Sequence, residues 1–258
     1  MMKTIWLTSL IFSEDQVKLL VPQLKTYGLE VKGHFWEDDL GKMAWSKARE
    51  ELIKPDVALW LILGSDEKLN TPSVRYGLSL LAITVQAKRG SSFPIGLLFA
   101  GGIPSPESLP TSLKGADLFS LTDAAMPAKL VTRVHSATAG VSPEYRLDVY
   151  GIPQIGQWFE IGPTGNAWPG AMFGVSGGEI TFHAVGPRGS LPEQSVLQYP
   201  LKGLKLSLGE KDYIAWAAQN QIDSKTSYFV RVDGCPESIT FGPYSTQEEA
   251  ELYVVNLK

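Results

Sequence analysis

Cysteine is almost absent from this chain, with Cys235 alone among 258 residues. A single thiol makes no internal disulfide, and with three histidines (His34, His135 and His183) it fits none of the usual zinc spacings. A cytoplasmic setting with no structural metal site is the expectation. Positive charge is scarce as well. Twenty-three Lys and Arg stand against twenty-seven Asp and Glu, a net charge of -4, so no excess field exists to hold a polyphosphate backbone and a dedicated nucleic-acid binder is not expected. No apolar run approaches the roughly 20 residues that a bilayer demands. Lys3 followed by residues 5–12 has the charge and apolarity of a signal peptide, but no small-x-small cleavage site follows. Instead Ser13-Glu14-Asp15-Gln16 has the form of a helix capping box. The expected partner is a protein, including a second copy of the chain, or a small molecule, with neither nucleic acid nor membrane. Internal repeats and low-complexity tracts are also missing.

What is present is ample apolar material, 44% of the residues, enough for one large domain or two of ordinary size. From Lys3 to about His135 short apolar runs alternate with segments of helical period, the order of a parallel sheet with helices on its faces. Strands are expected at 4–10, 29–36, 57–63, 93–99 and 117–121. The run at 57–63 is apolar without alternation, as when both sheet faces are covered. Helices are expected around Val17, Leu20, Val21 and Leu24, around Trp45, Ala48, Leu52 and Ile53, around Val74, Leu78, Leu81, Ala82 and Val85, and around Leu130, Val131 and Val134.

Residues 136–143 are small, polar and uncharged, the composition of a linker, and the domain boundary is placed there. Residues 1–140 hold fifteen basic and fourteen acidic side chains and 141–258 hold eight and thirteen, so the two halves carry +1 and -5. Ten glycines crowd positions 151–189, a density suited to tight turns between short strands. A smaller α+β domain is expected over 144–258. Its strands are placed at 145–152, 158–161, 171–175 and 179–185. A helix capped by Ser207-x-x-Glu210 follows, with Ile214, Ala217 and Ala218 inward. A hairpin of 228–232 with 239–241 then leads to a last helix capped by Ser245-x-x-Glu248.

Three short motifs in the first half carry a resemblance. Trp36-Glu37-Asp38-Asp39-Leu40-Gly41 follows the second strand as an acidic, glycine-containing loop, and Ile62-Leu63-Gly64-Ser65 runs a third strand into a serine. Thr71-Pro72-Ser73-Val74-Arg75-Tyr76-Gly77-Leu78 is similar to the Ser-Pro-Trp-Cys-Arg-Tyr-Glu-Leu helix start of the TIR (Toll/interleukin-1 receptor) family. Residues 1–135 thus resemble a TIR domain, which implies a flavodoxin-like α/β fold and a role in signalling or protein interaction. Family members that cleave NAD use the glutamate of that helix at the nicotinamide ribose, and its position here is Gly77. With no side chain there to stabilise an oxocarbenium-like centre, the resemblance implies a non-catalytic module, with no catalytic residue assigned, that binds NAD or another nucleotide-like ligand. The alternative is an NAD glycohydrolase or nucleoside-processing enzyme that uses a different carboxylate, Glu67 or Asp66. If assembly uses the family's loop, Leu40 and Met43 would touch another subunit.

The physics of open α/β sheets points to the same rim, because ligands bind beyond the carboxyl ends of the strands and helix N-termini there offer amide donors. Thr8, Ser9, Asp39, Ser65 and Asp66 fall at those ends, with Arg75 entering from the following helix. The same residues also suit turns and helix caps, and both readings stand. Elsewhere, Gly174-Val175-Ser176-Gly177-Gly178 matches the nucleophile-elbow spacing, but a strand composition follows it where the elbow needs a helix. Glu37-Asp38-Asp39 has the oxygen ligands of a divalent-ion loop, although a solvated loop is the commoner outcome. Trp158 and Trp168 lie among glycines and prolines, with Trp168 a candidate recognition surface and burial equally compatible.

Overall fold

The computed structural model describes residues 3–12, 14–136, 143–244 and 251–258 of the chain. Two compact units divide between Val141 and Ser142. Ser13 of the capping box, most of the expected linker and the Ser245-x-x-Glu248 cap lie outside the described residues.

The first unit is an α/β layer structure. Strands β1 (Lys3–Ser9), β2 (Leu29–Phe35), β3 (Val57–Gly64), β4 (Ile95–Phe99) and β5 (Asp117–Ser120) form one sheet in the order β2-β1-β3-β4-β5. Every pairing in it is parallel. Strand alternation sends Ile5 and Leu7 of β1 and Leu59, Leu61 and Leu63 of β3 to one face. There they pack with Leu20 and Leu24 of α1 (Glu14–Thr26) and Met126, Leu130 and Val134 of α5 (Met126–His135). Trp60 and Thr8 point the other way, where the Trp60 indole Nε1 donates to the Thr8 hydroxyl at 2.9 Å.

Helix α4 (Pro72–Arg89) starts with proline at its first position, where the missing amide proton costs nothing, and is buried continuously from Tyr76 to Val85. Its apolar residues surround the helix rather than forming a stripe, as expected of one covered on all sides. Arg89 at its end donates to the carbonyls of Leu52 and Val57 at 3.3 and 2.9 Å. The helix expected around Trp45 is a 3-10 turn, Ala44–Ala48, continuing into the single α-turn α2 (Arg49–Leu52). A further single turn, α3 (Asp66–Leu69), follows β3.

The second unit differs from expectation. Its described residues contain strands and no helix. They are β6 (Tyr145–Ile152), β7 (Gly156–Pro163), β8 (Ala171–Ser176), β9 (Glu179–Pro187), β10 (Leu201–Leu208), β11 (Lys211–Ala218), β12 (Thr226–Asp233), β13 (Ser238–Pro243) and β14 (Tyr253–Asn256). They make a four-stranded sheet, β6-β7-β12-β9, and a five-stranded sheet, β10-β11-β8-β13-β14. Rings from both sheets meet between them. Phe159 lies 5.2 Å from Phe173, and Tyr145 stands edge-on to Phe241 at 4.9 Å.

Three expectations are corrected here. The segment with Ser207-x-x-Glu210 is the β10–β11 hairpin, in which Leu208 pairs with Lys211 across Gly209 and Glu210. Gly209 sits at φ 60°, the left-handed region, and Ser207 Oγ donates to Asp212 at 2.7 Å rather than capping a helix. Tyr213, Ala215 and Ala217 are buried while Ile214 is 45% exposed, a period of two. Residues 228–232 and 239–241 do not form a hairpin either. β12 and β13 belong to different sheets, as do β8 and β9, so both connections cross the sandwich. Finally, residues 253–256 extend as β14 beside β13 where a helix was expected.

Candidate functional site

The carboxyl ends of the parallel strands are stitched into one rim by backbone hydrogen bonds. Trp36 N–H donates to Ser9 O and Leu10 N–H to Leu63 O, both at 2.8 Å, and Ala100 N–H donates to Gly64 O at 3.1 Å. The chain leaves β1 for β2 on one side and β3 on the other, so the order reverses between β1 and β3, the position where open α/β sheets form a crevice.

Two of the expected ligand residues are withdrawn from the rim. Thr8 is fully buried and its hydroxyl is engaged by Trp60. Ser9 is 2% exposed and donates its hydroxyl proton to Ile11 O at 2.7 Å. The other four remain at the ends of their elements, each with a local structural task. Asp39 accepts from Lys42 N–H and pairs with its ammonium, both at 3.0 Å, and the Lys42 contact holds the carboxyl below its ordinary range. Ser65 caps α3 by accepting from Lys68 N–H at 3.3 Å. Asp66 accepts from Asn70 at 2.9 Å. Arg75 donates to Asn70 Oδ1 at 2.8 Å and to Ser108 O at 2.6 Å, and burial pulls its pKa down against the attraction of Asp66. Arg75, Asn70 and Asp66 therefore form one connected polar cluster, with Glu67 exposed on the same short turn.

The acidic triplet does not converge. Glu37 pairs with Lys47, Asp38 accepts from Ser73 Oγ at 2.6 Å, and Asp39 turns to Lys42. Among the described residues no group of three or more His, Cys, Asp or Glu is placed to hold a metal ion. Leu40 and Met43 sit half-buried on the turn that Asp39 organises, with Met43 at φ 53° leading into the 3-10 turn.

The decisive geometry is at Gly77. A Cβ built there would stand 2.8 Å from Trp36 Cζ2 and 3.3 Å from both Trp36 Cη2 and Trp45 Cβ. The Trp36 indole thus lies flush against α4 at position 77. Trp36 is 5% exposed, and its Nε1 is buried with no hydrogen-bond partner among the described residues. Sequence reasoning treats Trp36 as core, and its contact with Gly77 depends on tertiary packing that no local pattern shows.

In the second unit Trp168 is not presented as a surface. It is 7% exposed and locked in a reciprocal backbone bridge with Ile222 at 2.8 and 2.9 Å. Ser176 ends β8, and Gly177 and Gly178 at φ 73° and 95° lead into strand β9, so the elbow's helix is missing. His183 is 3% exposed inside the sandwich. Its Nδ1 shares a 2.7 Å hydrogen bond with the Tyr228 hydroxyl, its ring meets Trp216 edge-on at 4.9 Å, and its Nε2 has no partner among the described residues. Burial, assisted by the nearby Lys202 ammonium, pushes its pKa down to about 4.

Compared with models of protein families the chain matches none, and a search of curated proteins returned no match.

Proposed function

We propose that the α/β unit is a TIR-like, flavodoxin-like module that binds a nucleotide-like ligand at its strand-end rim and assembles with protein partners without cleaving a glycosidic bond. The strand order β2-β1-β3-β4-β5, with its reversal between β1 and β3, supports the fold reading. One observation carries the functional reading: the Trp36 ring occupies the space that a side chain at position 77 would need. The rim carboxylates Asp38, Asp39 and Asp66 are each engaged by a hydroxyl, ammonium or amide neighbour. Trp36 Nε1 is a buried, unpaired donor, and in this reading the indole shifts on binding to meet a ligand acceptor such as a carbonyl or phosphate oxygen. The exposed α3 turn and the Leu40–Met43 loop supply the assembly surface in this reading.

A thermal-shift panel of NAD, its fragments and other nucleotides tests binding. A ligand at 100 times its dissociation constant adds about 2.7 kcal/mol of stability. Trp36→Phe keeps an aromatic ring but removes the donor, and a responding ligand should lose roughly tenfold in affinity. A panel that shifts nothing overturns the binding half of the reading.

A further inference from the structure

The far edge of the parallel sheet carries a separate signal, one that does not rest on the rim reading. β2 pairs with β1 on one side and is the terminal strand on the other. Since Trp36 N–H reaches across to Ser9 O, alternation directs the backbone groups of the even-numbered residues of β2 toward β1. Leu29 is buried at the start of the strand, so the N–H and C=O groups of Val31 and Gly33 line the open edge. Proteins usually blunt such an edge, because it is a ready template for another strand.

We infer that this edge pairs with β2 of a second copy, antiparallel, about a two-fold axis through Val31. In that register the two Val31 residues exchange both backbone hydrogen bonds, and Glu30 of each protomer lies directly opposite Lys32 of the other. Charge selects this register. The neighbouring registers that keep the same outward groups in contact place Glu30 against Glu30 or Lys32 against Lys32, which is unfavourable between facing strands. Glu30 and Lys32 are on one face, their side chains 38% and 48% exposed and 3.4 Å apart. Between β2 and α1 a cavity of about 170 Å³ is lined by Val17, Val21, Val31 and Phe35, with Ser9, Lys32 and His34 adding polar groups. Phe35 is 37% exposed and stacks on Phe12, itself 79% exposed, with ring centroids 5.6 Å apart. The two-fold axis sets Val31 against its own copy, so hydrophobic contact at the centre accompanies the ladder, while Phe35 lies four residues from the axis. An isologous contact of this kind closes at two subunits.

Sedimentation velocity on the full chain across a concentration series tests the dimer. Wild type should show a monomer–dimer equilibrium. Glu30→Lys and Lys32→Glu, each creating two like-charge pairs, should each raise the dissociation constant about tenfold. An equimolar mixture of the two variants should recover wild-type association, and so should the double swap in one chain. Lys32 is exposed, so Lys32→Glu should melt near wild type; Glu30 accepts from the buried Thr4 hydroxyl at 3.2 Å, so Glu30→Lys should melt slightly lower, and the mixture remains decisive even if that variant alone is weakened. A wild-type chain that stays monomeric, or swaps that leave the dissociation constant unchanged, overturns the inference. A dimer lost on Leu40→Asp but indifferent to the swaps would instead assign association to the rim loop.

Discussion

At the scale of single residues, Gly77 joins sequence to packing most directly. In an exposed helix alanine would be favoured over glycine by about 1 kcal/mol. Here the added methyl meets the Trp36 ring at 2.8 Å and Trp45 Cβ at 3.3 Å, and overpacking of a filled core typically costs about 1–3 kcal/mol. Gly77→Ala should therefore lower the unfolding free energy in urea by about 1–2 kcal/mol, the clash outweighing the propensity gain. A stabilised variant would show that the indole is free to move aside. His183 gives a second residue-scale test. Its folded pKa of about 4 lies below the 6.5 of an unperturbed imidazole, so between these values the unfolded chain binds a proton that the folded chain refuses. Stability from this site is full above about pH 6.5 and falls as pH drops toward 4, by about 3 kcal/mol in all. His183→Leu should flatten that part of the stability–pH profile, measured by denaturant melts across pH. An unchanged slope would place the titration elsewhere.

Among the elements, the β10–β11 hairpin offers a test by sign. Gly209 adopts φ 60°, where a Cβ costs about 1–2 kcal/mol, so Gly209→Ala should destabilise. Had Ser207 capped a helix, the same change would stabilise by about 1 kcal/mol. The difference from the helical expectation has a physical source. A Ser-x-x-Glu spacing occurs by chance where a strand runs into a hairpin turn, with Glu210 in the turn itself, and the alternation of Tyr213, Ala215 and Ala217 was the stronger signal. The parallel strands were legible because burial on both faces leaves unbroken apolar runs, as at Val57–Gly64. The crossings from β8 to β9 and from β12 to β13 were not, since strands close in sequence usually pair and nothing local marks a change of sheet. The turn after Ser176 illustrates the limit of turn signals: Gly177 and Gly178 announced a turn correctly without announcing its destination.

For the whole molecule, the charge difference between the halves, +1 and -5, coincides with two separately cored units, one α/β and one a sandwich of antiparallel sheets. No helix among the described residues is long and apolar enough to cross a membrane. The candidate site was half legible. Strand ends predict which residues reach the rim, and Ser65, Asp66 and Arg75 are there. Thr8 was lost to a hydrogen bond from Trp60, while the links of Arg75 to Asn70 and Ser108 and of Gly77 to Trp36 arise only when distant segments pack. The most direct measurement is incubation of the full chain with NAD followed by chromatography of the products. Under the binding-only proposal intact NAD with no nicotinamide released is expected, since position 77 is a glycine against which the Trp36 indole packs. Nicotinamide release that disappears on replacing Asp66 or Glu67 would show that a carboxylate of the α3 turn cleaves the bond, and the binding-only reading would fall.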